Sequence, residues 1–129
     1  MTKITNGVGF IFPGQGSQAT GMGYDLYSNI DASKNIYELS NTILAKKISD
    51  ICFEGPDDEL KKTINAQSAI VTTSIAALEA FKSLCDIKPA VCLGHSLGEY
   101  CAMYASNVMN FKTTIKAIQK RSELMDEAT

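Results

Sequence analysis

Ala90-Val91-Cys92-Leu93-Gly94-His95-Ser96-Leu97-Gly98-Glu99-Tyr100 decides the reading of this chain. Ala90 to Leu93 is a short apolar run entered through Pro89, the signature of a buried strand. A small-residue helical pattern, Leu97 to Ser106, leaves on the other side. Between them Gly94-His95-Ser96-Leu97-Gly98 fits G-x-S-x-G. Strand, sharp turn and helix in that order are what the motif needs mechanically: the flanking residues must be small, and the serine is held at the sheet edge above a helix start. Unpaired N–H groups of the first helical turn can there stabilise an oxyanion. A structural Gly-Ser turn is the plain alternative; the context favours Ser96 as a nucleophile.

Upstream, Gly7 to Phe12 reads as another buried strand, stopped by the turn signal Pro13-Gly14. A Gly-rich loop follows through Gly16, Gly21 and Gly23. Its glycines allow close approach to a ligand. It lacks the lysine and spacing of a P-loop, and a plain turn fits it equally. Asp31 is predicted as the N-cap of a helix over Lys34 to Lys46, with Ile36, Leu39, Ile43 and Leu44 on its apolar face. A short helical piece spans Ile48 to Phe53, and Asp57 to Lys62 is a charged, solvated helical turn. Gln67 to Cys85 is predicted as a long helix packing through Ile70, Val71, Ile75, Leu78, Phe81 and Leu84. Lys112 to Glu127 is the last helix. Buried strands separated by helices imply an α/β layered fold with a parallel sheet.

The bulk properties fit one globular domain over residues 1–129, with 45% hydrophobic and 20% charged residues. A net charge of −2 gives no electrostatic case for nucleic acid or membrane surfaces. No apolar run is long enough to span a bilayer, and the N-terminus has no signal-peptide pattern. The four cysteines, Cys52, Cys85, Cys92 and Cys101, form no CxxC pair, and the single histidine adjoins a serine. A metal site is therefore not expected, and the thiols read as buried or partly buried in a reducing cytoplasm.

Two charged or polar residues stand out. Arg121 falls inside the apolar stripe of Phe111, Ile115, Ile118 and Met125, where a guanidinium is costly unless paired. A structural ion pair, for instance with Glu99, or a snorkelling side chain would explain it; Lys116 and Lys120 belong to the solvated face. His95 adjoins Ser96 on the tight turn, so their side chains point apart and His95 is not expected to serve as the base.

Phe12-Pro13-Gly14-Gln15-Gly16-Ser17-Gln18 near the start, with Gly94 to Tyr100 at this distance, resembles the malonyl-CoA:acyl carrier protein transacylase family. That family includes the acyltransferase domains of fatty acid and polyketide synthases. Gly55-Pro56-Asp57-Asp58-Glu59-Leu60, Gln67 and Lys120-Arg121-Ser122-Glu123-Leu124-Met125 also resemble family segments, so the likeness runs along essentially the whole chain. Ser68 stands where relatives often have Pro after the Gln, at an expected helix start that Ser would cap.

The resemblance implies a two-step transfer for fatty acid biosynthesis. Ser96 attacks the thioester of malonyl-CoA, and the pantetheine thiol of acyl carrier protein then takes the malonyl group. The oxyanion hole would be the N–H groups of Gln15 and Leu97. Arg121 would hold the malonyl carboxylate, and Gln67 and His95 would contact substrate. No cofactor is implied. The full-length form would be a cytoplasmic monomer, with an α/β-hydrolase-like core and an inserted ferredoxin-like subdomain; free-standing enzyme and synthase domain both stay open, the start at Met1 leaning towards the former. The family's base is a histidine far downstream. With His95 the only histidine, and Met125 to Thr129 stopping without a C-cap glycine, the chain reads as an N-terminal piece of one acyltransferase domain. It would be inactive alone, and a truncated sheet would leave an exposed edge and low stability. The competing readings are a serine esterase or thioesterase of hydrolase type and a non-catalytic carrier-protein-binding remnant.

Overall fold

The structure is a computed structural model describing residues 7–129. Two strands, β1 (Gly9–Phe12) and β2 (Val91–Gly94), pair in parallel in the register Gly9↔Val91, Phe10↔Cys92, Ile11↔Leu93 and Phe12↔Gly94. Around them run α1 (Tyr24–Asn29), α2 (Asp31–Leu44), α3 (Ile48–Glu54), α4 (Asp57–Lys61), α5 (Thr63–Leu84), α6 (Gly98–Ala105) and α7 (Phe111–Ala128). This is the expected α/β arrangement of a small parallel sheet with flanking helices. A parallel pair needs a crossover, and here that crossover is the whole helical stretch from α1 to α5.

Helix α5 is the central element, packed against both α2 and α7. It is buried nearly all round, through Ala66, Ala69, Ile70, Val71, Ile75, Ala76 and Leu78, and its polar Gln67 and Thr72 are fully buried too. It begins at Thr63, ahead of the predicted start at Gln67, so Ser68 lies inside the helix rather than capping it. Ser68 is 1% exposed, and its Oγ has no hydrogen-bond partner among the described residues. Leu84, predicted in the core stripe, is exposed at the C-terminal end of the helix.

Helix α2 starts at Asp31 itself, with Ile30 as its cap, so Asp31 contributes as an acid in the first turn and not as the N-cap. Its buried face is Ser33, Ile36, Tyr37, Ser40 and Leu44, at clean helical spacing, while Leu39 is 42% exposed and off that face. Tyr37 donates to or accepts from Thr73 Oγ1 at 2.7 Å, and Ser40 pairs with Thr72 Oγ1 at 2.9 Å. These hydroxyl pairs are what make a polar α2–α5 seam affordable. Helix α1 lies where the sequence reads as loop; it has no buried residue, so no apolar period announces it.

The strands are less covered than expected. Phe10 and Phe12 face inward, with Phe10 edge-on to Phe81 of α5 at 5.7 Å between centroids. The opposite face carries Ile11, 76% exposed, with Val91 and Leu93 at 49% and 54%. A strand run this apolar fits cover on both faces; among the described residues only one face is covered.

Candidate active site

The elbow is built as its motif requires. Ser96 has φ of 56°, left-handed backbone that a non-glycine residue adopts at a cost. Gly94 and Gly98 make this possible by packing. A Cβ on Gly94 would run into the backbone of Gly98 and Glu99, and one on Gly98 would press on the carbonyls of Phe12 and Pro13. Strand β2, the turn and α6 are thus folded back onto the end of β1.

The start of α6 is tighter than a simple open helix end. Gly98, Glu99 and Tyr100 N–H donate to the carbonyls of His95, Ser96 and Leu97 at 2.9–3.1 Å. Of the N–H groups after the nucleophile, Leu97's is the one without a protein acceptor among the described residues. Its side chain is fully buried, which pins that N–H beside Ser96.

The first loop meets this turn directly. His95 N–H donates to Phe12 O at 3.1 Å, and a Cβ on Gly14 would sit 2.6 Å from His95 Nδ1. The loop is closed on itself by Ser17, whose Oγ donates to Gly14 O at 2.8 Å, and by Gly16 N–H donating to Gln18 Oε1 at 2.8 Å. Gln15 is exposed at its crest, and its N–H has no protein acceptor among the described residues. The loop and the elbow, far apart in sequence, thus meet along one edge, where the N–H groups of Gln15 and Leu97 have no protein acceptor among the described residues.

Arg121 arrives from α7. Nη2 donates to Ser96 Oγ at 3.0 Å and Nη1 to Gln67 Oε1 at 2.7 Å. Gln67 is fully buried on α5, and its Nε2 lies 3.3 Å from Met125 Sδ, one turn beyond Arg121. The two ion pairs among the described residues are Lys62–Glu59 and Lys82–Glu79, so Arg121 has no carboxylate partner there and the Glu99 pairing does not form. Lys116 and Lys120 are exposed as expected. His95 is exposed and turned against Gly14, and makes no side-chain hydrogen bond to Ser96.

Ser96, Arg121 and Gln67 are therefore brought together, with Gln15 and Leu97 on the adjoining edge. Tyr100, in the sequence simply the last residue of the motif, also enters: its ring centroid is 6.0 Å from Arg121 Cζ. Its position one turn after Ser96 on α6 is the signal that could have found it. Among the described residues no group of three or more His, Cys, Asp or Glu could hold a metal. No helix is long and apolar enough to cross a membrane. Cys52 and Cys101 are buried, Cys92 is half-buried, and Cys85 is exposed, contrary to the expectation of cover for all four.

An exposed serine on a strained strand-to-helix elbow, with free N–H groups beside it and an unneutralised guanidinium on its hydroxyl, is the arrangement of a nucleophile elbow, such as acyltransferases and hydrolases carry. Comparison with known proteins gives the family. The acyl transferase domain family matches residues 9–129, and the chain belongs to that family. It is 46% identical over 128 residues to the malonyl CoA-acyl carrier protein transacylase of Bacillus subtilis (strain 168), covering 99% of this chain and 39% of that protein. The crystal structure of malonyl CoA-acyl carrier protein transacylase from Clostridium perfringens ATCC 13124 superposes with a TM-score of 0.88 at 38% identity, over 99% of this chain and 39% of that one. A malonyl-transacylase solved in complex with its type II PKS acyl carrier protein gives a TM-score of 0.89 at 31% identity, covering 99% of this chain and 40% of that one. The chain matches the N-terminal part of these relatives and spans about two fifths of their length.

Proposed function

We propose that this chain carries the nucleophile and the carboxylate clamp of an enzyme that moves a malonyl group from malonyl-CoA to the pantetheine thiol of acyl carrier protein. The observation that carries the reading is Arg121, which has no carboxylate partner among the described residues, with one nitrogen on buried Gln67 and another on Ser96 Oγ. A cation so placed suits an acyl group that ends in a free carboxylate.

In this reading Ser96 Oγ attacks the thioester carbonyl and the CoA thiolate leaves, giving a malonyl-serine ester. The carrier-protein thiol attacks that ester in turn and the Ser96 oxygen leaves. Both tetrahedral intermediates place an oxyanion at the edge where Leu97 and Gln15 N–H are free. The substrate carboxylate replaces the Ser96 hydroxyl as acceptor for Arg121. His95 packs on Gly14 and takes no part in proton transfer, so the base comes from the part of the relatives that this chain does not span. The acyl carrier protein in complex with one relative supports carrier protein as the second substrate. A general esterase has no need of an arginine on its nucleophile, which is why the transferase reading is preferred.

The test is intact-mass measurement after incubation with malonyl-CoA, using this sequence within a full-length enzyme. A malonyl adduct is expected on the parent and none on Ser96→Ala. An adduct that survives the substitution, or free malonate released faster than transfer to carrier protein, would overturn the proposal.

A further inference from the structure

Arg121 is half-buried, and its surroundings are unusual for a guanidinium. Its in-plane contacts are Gln67 Oε1 and Ser96 Oγ, both neutral. The plane of the fork is where donors point; its face is still free to be held.

Arg121 Cζ lies over the Tyr100 ring, 6.0 Å from its centroid. Tyr100 is half-buried and packed against the core cluster, so its ring is itself fixed. Its hydroxyl makes no hydrogen bond among the described residues, which leaves the ring face as its contribution. It sits on α6 one turn after Ser96, on the same rigid segment as the nucleophile. Any position that Tyr100 imposes on Arg121 is therefore imposed relative to Ser96.

We propose that Tyr100 is a positioning residue: its ring holds the Arg121 guanidinium beside Ser96 by a cation–π contact, leaving the charge and the remaining N–H donors for an incoming carboxylate. An Asp or Glu in its place would fix the arginine equally well but would occupy the fork and neutralise it. The ring attracts the cation through its quadrupole and uses no N–H donor. This deepens the reading of Arg121 as the carboxylate clamp and rests on it.

The experiment uses this sequence within a full-length enzyme, by NMR with arginine-selective labelling, with malonate as the probe. In the wild type, ring current from Tyr100 should shift the Arg121 Hδ and Hε resonances upfield. Tyr100→Phe should keep that shift and the wild-type affinity for malonate. Tyr100→Leu should abolish the shift and weaken malonate binding about two- to fivefold, the range expected of a partly exposed cation–π contact. Absence of the shift in the wild type, loss of it in Tyr100→Phe, or equal malonate affinity in Tyr100→Leu would each overturn the proposal. Should Tyr100→Leu not fold, the wild-type shift and its retention in Tyr100→Phe decide the matter. A shift that follows the ring as predicted, in a chain that binds no malonate, upholds the Tyr100 contact and overturns the carboxylate role of Arg121 instead.

Discussion

Arg121 Nη2 lies 3.0 Å from Ser96 Oγ, across 25 residues of sequence and from a different helix. Two independent packing relations fix the two ends of that contact. Ser96 is set by glycines that let β2 and α6 fold back on β1, and Arg121 by Gln67 near the start of α5. The contact thus reports whether the sheet end, α5 and α7 are assembled together. Substitutions in any of the three should be felt at the nucleophile.

The elbow should not tolerate a methyl group at Gly94. A Cβ there collides with backbone of Gly98 and Glu99, which has no flexible end to yield. Gly94→Ala is expected to cost at least about 1–3 kcal/mol, the range for overpacking a tight site. Thermal unfolding reads it directly. An unchanged midpoint would mean the turn relaxes freely and that its shape is not set by this packing.

Alkaline conditions should weaken the fold. Burial pushes the Cys52 and Cys101 thiols up to about 12 and the Tyr104 phenol also to about 12, with Glu79 adding to the last. Unfolded thiols ionise near about 8.5 and tyrosines near about 10. With folded values raised above unfolded ones, the unfolded state loses protons first. The stabilisation is complete below about pH 8 and declines as pH rises towards 12. Urea midpoints at pH 8 and pH 10 test it; a flat or rising midpoint contradicts it. By the same argument Cys85, exposed, should react with a thiol reagent before Cys52 and Cys101 in the folded chain.

The open face of the sheet should bind apolar dyes. Ile11, 76% exposed, sits beside Leu93 at 54% in the register of the paired strands. Ile11→Thr keeps a β-branched strand former while removing apolar surface. It is expected to lower anilinonaphthalene sulfonate binding and to leave the thermal midpoint nearly unchanged. A large fall in midpoint would show that this face is covered in solution.

What the sequence revealed and concealed follows from the range of each signal. The elbow was readable because strand, glycines, serine and helix are contiguous. Arg121 was noticeable because a charge interrupts an apolar stripe. Helix α1 escaped because it buries nothing and follows Gly21 and Gly23, which read as loop. Ser68 looked like a cap because a serine behind a polar run resembles a helix start, whereas burial against neighbouring helices carries α5 on through it. The strands looked buried because Val91, Leu93 and Ile11 are apolar, but burial depends on neighbours that a local pattern does not contain. The Arg121–Gln67 contact joins residues 54 apart, and no spacing rule reaches that far.

Selectivity offers the most direct test of Arg121. If the guanidinium holds the malonyl carboxylate, Arg121→Ala in the full-length enzyme should damage malonyl transfer far more than acetyl transfer. The acetyl group has no carboxylate, so its transition state loses little when the arginine goes. For malonyl a charged group is left without its partner, at a cost of about 2–5 kcal/mol. At tenfold per about 1.4 kcal/mol, that is roughly tens- to thousands-fold in relative kcat/KM. Arg121→Lys should recover part of the loss, since an ammonium keeps the charge without the planar fork that also reaches Gln67. Gln67→Leu should lie between wild type and Arg121→Ala, because it removes an acceptor at 2.7 Å but leaves the cation. The comparison is kcat/KM for malonyl-CoA and acetyl-CoA in the parent and the three variants. Equal losses for both substrates would make Arg121 a structural residue, and the case for a substrate that carries a carboxylate would go with it.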